Sequence, residues 1–152
     1  MEIMLSNRQR RYQVMPGQLK KVAVRILNAL GCPEGTQLSV SIVGDRTIRT
    51  INRDYLQKDR PTNVISFSLQ EGEHAGLNPL ALGDVIISVD TAYREAQAGG
   101  MELFERLCLL MLHGILHLRG YDHERSGEAE AAKMEKKQKQ LFRMLETEGL
   151  LN

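Results

Sequence analysis

Residues 102–118, ELFERLCLLMLHGILHL, decide the fold. Their centre, Leu107 to Leu112, is apolar all round. A helix without a polar face has to be enclosed by other elements, so Glu102 to Leu118 is expected to be a core helix. Working back along the chain, Asp90 can cap a short helix that Gly99-Gly100 ends. Two stretches rich in β-branched residues, Asn63 to Leu69 and Asp84 to Val89, read as strands. Between them GEHAGLNPLALG reads as a loop. Further upstream Leu38 to Val43 alternates as a third strand, and Met1 to Leu5 fits a short fourth. Pro16 opens a helix with Leu19, Val22, Ala23, Ile26, Leu27 and Leu30 on one side and Gly31 as its stop. Asp45 can cap another, with Ile48, Ile51 and Tyr55 inward and Arg46, Arg49 and Arg53 on the other side. Downstream, a final helix starts near Ser126, with Glu128 and Glu130 at its positive end. The pattern is α+β: a small mixed four-stranded sheet packed against helices.

The 152 residues fit a single domain, 1–152, with one core. A composition of 42% hydrophobic and 26% charged residues is that of an ordinary soluble protein and argues against disorder. No apolar run approaches the roughly 20 residues that span a bilayer. The start, MEIMLSNRQRRYQ, has no apolar core of a secretory signal. A cytoplasmic location without membrane contact is therefore expected, with Cys32 and Cys108 as reduced thiols. The net charge of +1 hides an asymmetry: residues 1–60 carry 11 Lys/Arg against 5 Asp/Glu, and residues 61–152 carry 9 against 14. A basic half suits an anionic partner such as nucleic acid, though two solvated faces would look the same.

Three of the four histidines fall in HGILHLRGYDH, residues 113–123. His113 and His117 are spaced i, i+4, so both imidazoles leave one helix face and can meet one ion. Gly120 lets the chain turn back, which brings His123 to the same point. Three imidazoles leave a tetrahedral zinc ion one open position for water, the arrangement of a catalytic site. One Zn²⁺ per chain is expected. Such an ion lowers the pKa of bound water towards roughly 7 and polarises a carbonyl or phosphoryl oxygen, so the chemistry is hydrolysis. The same histidine spacing occurs in the metzincin peptidases, which place a glutamate base directly after the first histidine. Here that position is Gly114. Lacking that base, peptide hydrolysis would lose a factor of roughly 10² to 10⁴.

HGILHLRGYDH, NRDYLQKDRPTNVISF (residues 52–67) and LGDVIIS (residues 82–88) together resemble, in order and spacing, the signatures of the YbeY family of bacterial endoribonucleases. The resemblance implies zinc held by His113, His117 and His123 and cleavage of single-stranded RNA. It also implies work on the 3′ end of small-subunit ribosomal RNA, on the small ribosomal subunit itself, and in ribosome quality control. One departure from the family bears on the chemistry. An arginine usually follows the aromatic of the second signature, whereas Tyr55 is followed by Leu56. Arg53 and Arg60 are nearest to replace its guanidinium, and Arg53 is expected to serve cleavage. Ser68 stands where the family commonly has proline.

Other candidates follow from residue type. Arg46, Arg49 and Arg60 could bind phosphates or lie on a solvated face, and Thr62 and Ser66 could hydrogen-bond a nucleotide. Asp122 is a candidate proton acceptor or partner of a metal ligand, as is Glu124 with less reason. Asp84 could orient a histidine. Three function classes stay open: a metal-dependent endoribonuclease acting on ribosomal RNA, a metallopeptidase, and a ribosome-associated RNA-binding factor with structural zinc.

Overall fold

Among the described residues, period-2 and period-3.6 stretches become four strands and five helices: β1 (Glu2–Asn7), α1 (Pro16–Ala29), β2 (Gln37–Val43), α2 (Asp45–Leu56), β3 (Val64–Ser68), β4 (Ala81–Ser88), α3 (Val89–Gly99), α4 (Leu103–Leu118) and α5 (Gly127–Thr147). The structure, a computed structural model, describes residues 1–70, 77–121 and 127–152. The sheet order is β1-β2-β4-β3, with β1, β2 and β4 parallel and β3 antiparallel at one edge. This is the mixed four-stranded α+β architecture expected from the sequence.

Alternation along each strand assigns the two faces of the sheet. One row across it is Leu5, Val40, Val85 and Ser66, and another is Asn7, Ile42, Ile87 and Val64. These rows face the main core, where α1 and α4 lie. The intervening rows face the other way, and there Val43, Ile48 and Ile65 form a small second cluster beneath α2. In α4, Leu107, Cys108, Met111, Leu112, Ile115 and Leu116 are wholly buried. The helix touches β3, β4, α1, α3 and α5, which is the enclosure its apolar surface requires.

Several local expectations change. Strand β4 begins at Ala81 rather than Asp84. Its early part contains Gly83 at φ +148°, where a Cβ would overlap the carbonyl oxygen of Phe67. Tyr55 is 68% exposed instead of inward, because the apolar stripe of α2 runs past the small cluster it covers. Asp45 does not cap α2 and Asp90 does not cap α3. The N-caps are Gly44 and Ser88. The two carboxylates serve each other's helices: Asp90 accepts from the Asp45 backbone N–H at 2.8 Å, and Asp45 accepts from the Thr91 and Ser88 hydroxyls, both at 2.6 Å. The proposed cap Ser126 lies outside the described residues.

Candidate active site

The last turns of α4 hold His113 and His117 with their Nε2 atoms 3.1 Å apart. Their rings meet edge-on, with centroids 4.7 Å apart and planes at 70°. On the far side of His113, Nδ1 lies 2.8 Å from Oε1 of Gln138 on α5. An amide oxygen accepts, so in the tautomer that carries its proton on Nδ1 His113 donates to Gln138 and presents the Nε2 lone pair. Two ring nitrogens about 3 Å apart span what two ligands of one tetrahedral ion at about 2.0–2.1 Å require. The described part of the site thus fits zinc in donor type and spacing. His123, Asp122 and Glu124 lie outside the described residues. Among the described residues no group of three or more His, Cys, Asp or Glu gathers.

Gly114, between the two histidines, faces the sheet. A Cβ there would come within 2.7 Å of Val85 Cγ1 and 3.1 Å of Ser66 Oγ. The Ser66 hydroxyl donates to the Gly114 carbonyl oxygen at 3.1 Å. This approach is what lets α4 lie close enough to β3 and β4 to hold the histidines beside the sheet edge. It also leaves no room for a side chain where a metzincin has its glutamate.

The histidines open into a groove of about 360 Å³. Residues Val64 to Ser66 of edge strand β3 line it, and the end of α2 with the following turn forms the far wall, through Asn52, Leu56, Lys58 and Arg60. The turn is fixed in three ways. Gln57 takes a left-handed φ of 56°. The Gln57 N–H donates to the Arg53 carbonyl at 3.2 Å, an αL closure, and the Lys58 N–H to the Asn52 carbonyl at 3.2 Å. The Asn52 side chain, 3% exposed, donates through Nδ2 to the Arg60 carbonyl at 2.9 Å.

Of the candidate RNA contacts, Arg60, Thr62 and Ser66 line this groove, and Arg46, Arg49 and Arg53 do not. Arg49 is paired with Asp59 at 2.9 Å, and Arg53 with its neighbour Asp54 at 3.1 Å. The Arg49 hydrogen bond holds the Asp59 carboxyl below the usual carboxylate range. Leu56 is 43% exposed and faces the groove. Asp84 shares its row with Met4, Ser39 and Phe67, on the face opposite α4, so it cannot orient a histidine on α4. Both thiols are buried, and burial pushes that of Cys108 up to about 12, which leaves it protonated and inert.

Gln138 and Asn52 are positions of this site that sequence reasoning did not single out. Gln138 interrupts the stripe of Met134, Leu141 and Leu145 along the buried side of α5. A polar residue on an apolar stripe is a signal that could have been read. A larger groove, about 770 Å³, runs between α4 and α5 behind Gln138, with Leu109, Phe142, Lys136 and Arg143 along it.

The sequence profile of one family, described as Endoribonuclease YbeY, matches residues 4–146. A protein of Geobacter metallireducens bearing that description is 60% identical over 151 residues, 99% of this chain and 100% of its own length. Its counterpart in Geobacter sulfurreducens is 57% identical over the same shares. One in Aquifex aeolicus is 46% identical over 78% of this chain and 76% of its own length. Among solved structures, a Thermotoga maritima protein determined in solution superimposes with a TM-score of 0.61 over 99% of this chain and 95% of its own, at 19% identity. That likeness concerns the fold.

Proposed function

The chain belongs to the endoribonuclease YbeY family, and from that premise we propose that it is a zinc-dependent endoribonuclease cleaving single-stranded RNA. Its substrate is the 3′ end of small-subunit ribosomal RNA, and its place is the cytoplasm, where it also serves ribosome quality control. The observation that carries this reading is the facing pair of Nε2 atoms, 3.1 Å apart, at the end of a groove with two cationic side chains in its wall.

His113, His117 and His123 would hold one zinc ion per chain. When bound, zinc acidifies a water towards roughly neutral pKa and polarises a phosphoryl oxygen. The chain's own groups do the rest. Gln138 keeps the His113 proton on Nδ1 and its lone pair towards the ion. Lys58 and Arg60 neutralise phosphates in the groove, and the Arg60 fork can take two oxygens of one phosphate. Arg60 is therefore assigned the part that Leu56 leaves open, since Arg53 would first have to leave Asp54. The Thr62 hydroxyl can donate to the backbone of the strand. Ser66 spends its proton on Gly114, so it is left to accept, as from a ribose hydroxyl. Asp122 is proposed as proton acceptor for the attacking water.

A peptidase reading is opposed by the lack of space at position 114. An RNA-binding factor with structural zinc draws support from Leu56, an apolar group where a guanidinium would stabilise developing charge. The deciding experiment incubates the purified protein with single-stranded RNA and with casein, each with and without chelator. Chelator-sensitive RNA cleavage supports the nuclease, casein cleavage the peptidase, and RNA binding without cleavage the structural-zinc factor. Metal analysis should find about one zinc per chain, lost in His117→Ala.

A further inference from the structure

The described aromatic residues of this chain are almost all packed. Tyr12 and Tyr93 stack on each other at 4.8 Å. Phe104, Tyr121 and Phe142 lie against the main core and Phe67 against the second cluster. Tyr55 is different. It is 68% exposed, more than any other aromatic side chain of the protein. Solvent exposure of a tyrosine ring costs free energy that burial would recover, yet helix α2 presents it one residue before Leu56, which lines the groove of the histidines while Tyr55 itself stands just outside that lining.

Its one aromatic neighbour is Phe67, with ring centroids 5.6 Å apart and planes at 64°. In an edge-to-face pair each ring occupies at most one face of the other, so at least one face of Tyr55 stays open. Phe67 is held by the second cluster and follows Ser66 of the groove directly. Tyr55 is thus a propped aromatic plate beside the groove, on the Phe67 side of the edge strand rather than the Ser66 side. Lys58 lies three residues beyond it and Arg60 five, both in the groove wall, which places cationic groups where a backbone entering the groove would carry its phosphates. An open ring face beside apolar Leu56 and two groove cations matches a nucleotide of a single strand: base on the ring, phosphates on the cations. A protein segment would use the apolar plate but has no reason to bring repeated negative charge.

We propose that Tyr55, propped by Phe67, is a stacking platform for one base of the single-stranded RNA, beside the groove that leads to His113 and His117. The proposal rests on the nuclease reading. It makes Tyr55 a positioning residue, which sets where along the strand the scissile phosphate falls, and leaves hydrolysis to groups inside the groove. Stacking is tolerant of base identity, because every base has a π-face, so binding needs a base but not a particular one.

The test uses the absence of tryptophan from the sequence. Tyr55→Trp installs a single indole beside the groove. The full chain is mixed in a stopped-flow instrument, before cleavage, with a short RNA oligonucleotide or with an abasic strand of equal length and charge. The expected result is that the wild type binds the base-bearing strand about tenfold more tightly than the abasic one. Tyr55→Ala should lose that preference while still melting like wild type, and the indole of Tyr55→Trp should be quenched by the base-bearing strand only. Equal binding of the base-bearing strand by wild type and Tyr55→Ala, or equal quenching by both strands, overturns the platform and leaves the nuclease reading standing. Failure of the wild type to bind either strand overturns the nuclease reading, and the platform with it.

Discussion

Gly114 shows how one missing side chain governs both packing and chemistry. With Val85 Cγ1 at 2.7 Å and the Ser66 hydroxyl at 3.1 Å from a would-be Cβ, even alanine must push α4 off β3 and β4. Overpacking of a tight contact costs about 1–3 kcal/mol. Gly114→Ala should therefore lower stability by that order in chemical denaturation, and an unchanged midpoint would show that the helix can shift freely. The role proposed for Gln138, which lies 2.8 Å from His113 Nδ1, belongs to the same scale. Gln138→Ala should weaken zinc affinity by about 10–100-fold, measured by competition with a chromophoric chelator, while far-ultraviolet circular dichroism stays that of the wild type. Leu56, half-exposed in the groove, can be replaced by arginine without opening the core. Leu56→Arg should raise the rate of RNA cleavage at unchanged zinc content, and a folded, zinc-loaded variant that is no faster would remove this position from the mechanism.

Helices α2 and α3 are held by an exchange between Asp45 and Asp90 that local sequence does not contain. Each aspartate stands at a helix start, so a local reading makes each a cap for its own helix. The parallel pairing of β2 with β4 brings the two starts together instead, and the carboxylates cross over. Burial pushes the Asp45 carboxyl up, but hydrogen bonds from Ser88, Thr91 and Arg94 outweigh it and hold the group below its ordinary value of 3.8. A depressed carboxylate contributes stability above its unfolded pKa and loses it as pH falls through the folded one. Thermal melting should thus drop as the medium is acidified below the ordinary value. Asp45→Asn keeps an acceptor but loses the ion pair with Arg94, 2.7 Å away. It should melt lower than wild type at neutral pH, with the gap closing as the pH falls below the ordinary carboxylate value. A constant gap across that range would assign the loss to packing. Element types, by contrast, were legible, because α1 and β2 carry clean periods and α4 is an apolar run too long for a strand, none of which a tertiary contact reverses.

At the scale of the whole molecule, what was legible divides by sequence distance. The histidine pair could be read because one helical turn sets its spacing, within four residues. The groove could not, since it joins the turn after α2 to α4 across some fifty residues, and only the fold decides which cations reach it. Arg46, Arg49 and Arg53 look on the sequence like one basic stripe. In the structure Arg49 and Arg53 are committed to Asp59 and Asp54, and the cations beside the histidines are Lys58 and Arg60. The two sets make different predictions for RNA binding. On a single strand each neutralised phosphate adds about 0.7 to the slope of log affinity against log salt. Lys58→Ala and Arg60→Ala should each flatten that slope by about 0.7, and the pair by about twice as much. Replacing Arg46, Arg49 and Arg53 together should change it less than the pair does, because two of those charges already have carboxylate partners. The measurement is a salt titration of oligonucleotide affinity by fluorescence anisotropy, with the same strand throughout. A slope flattened by the three helix arginines and untouched by Lys58 and Arg60 would place the phosphate path across the outer face of α2, away from the histidines, and would separate the binding surface from the site that cleaves.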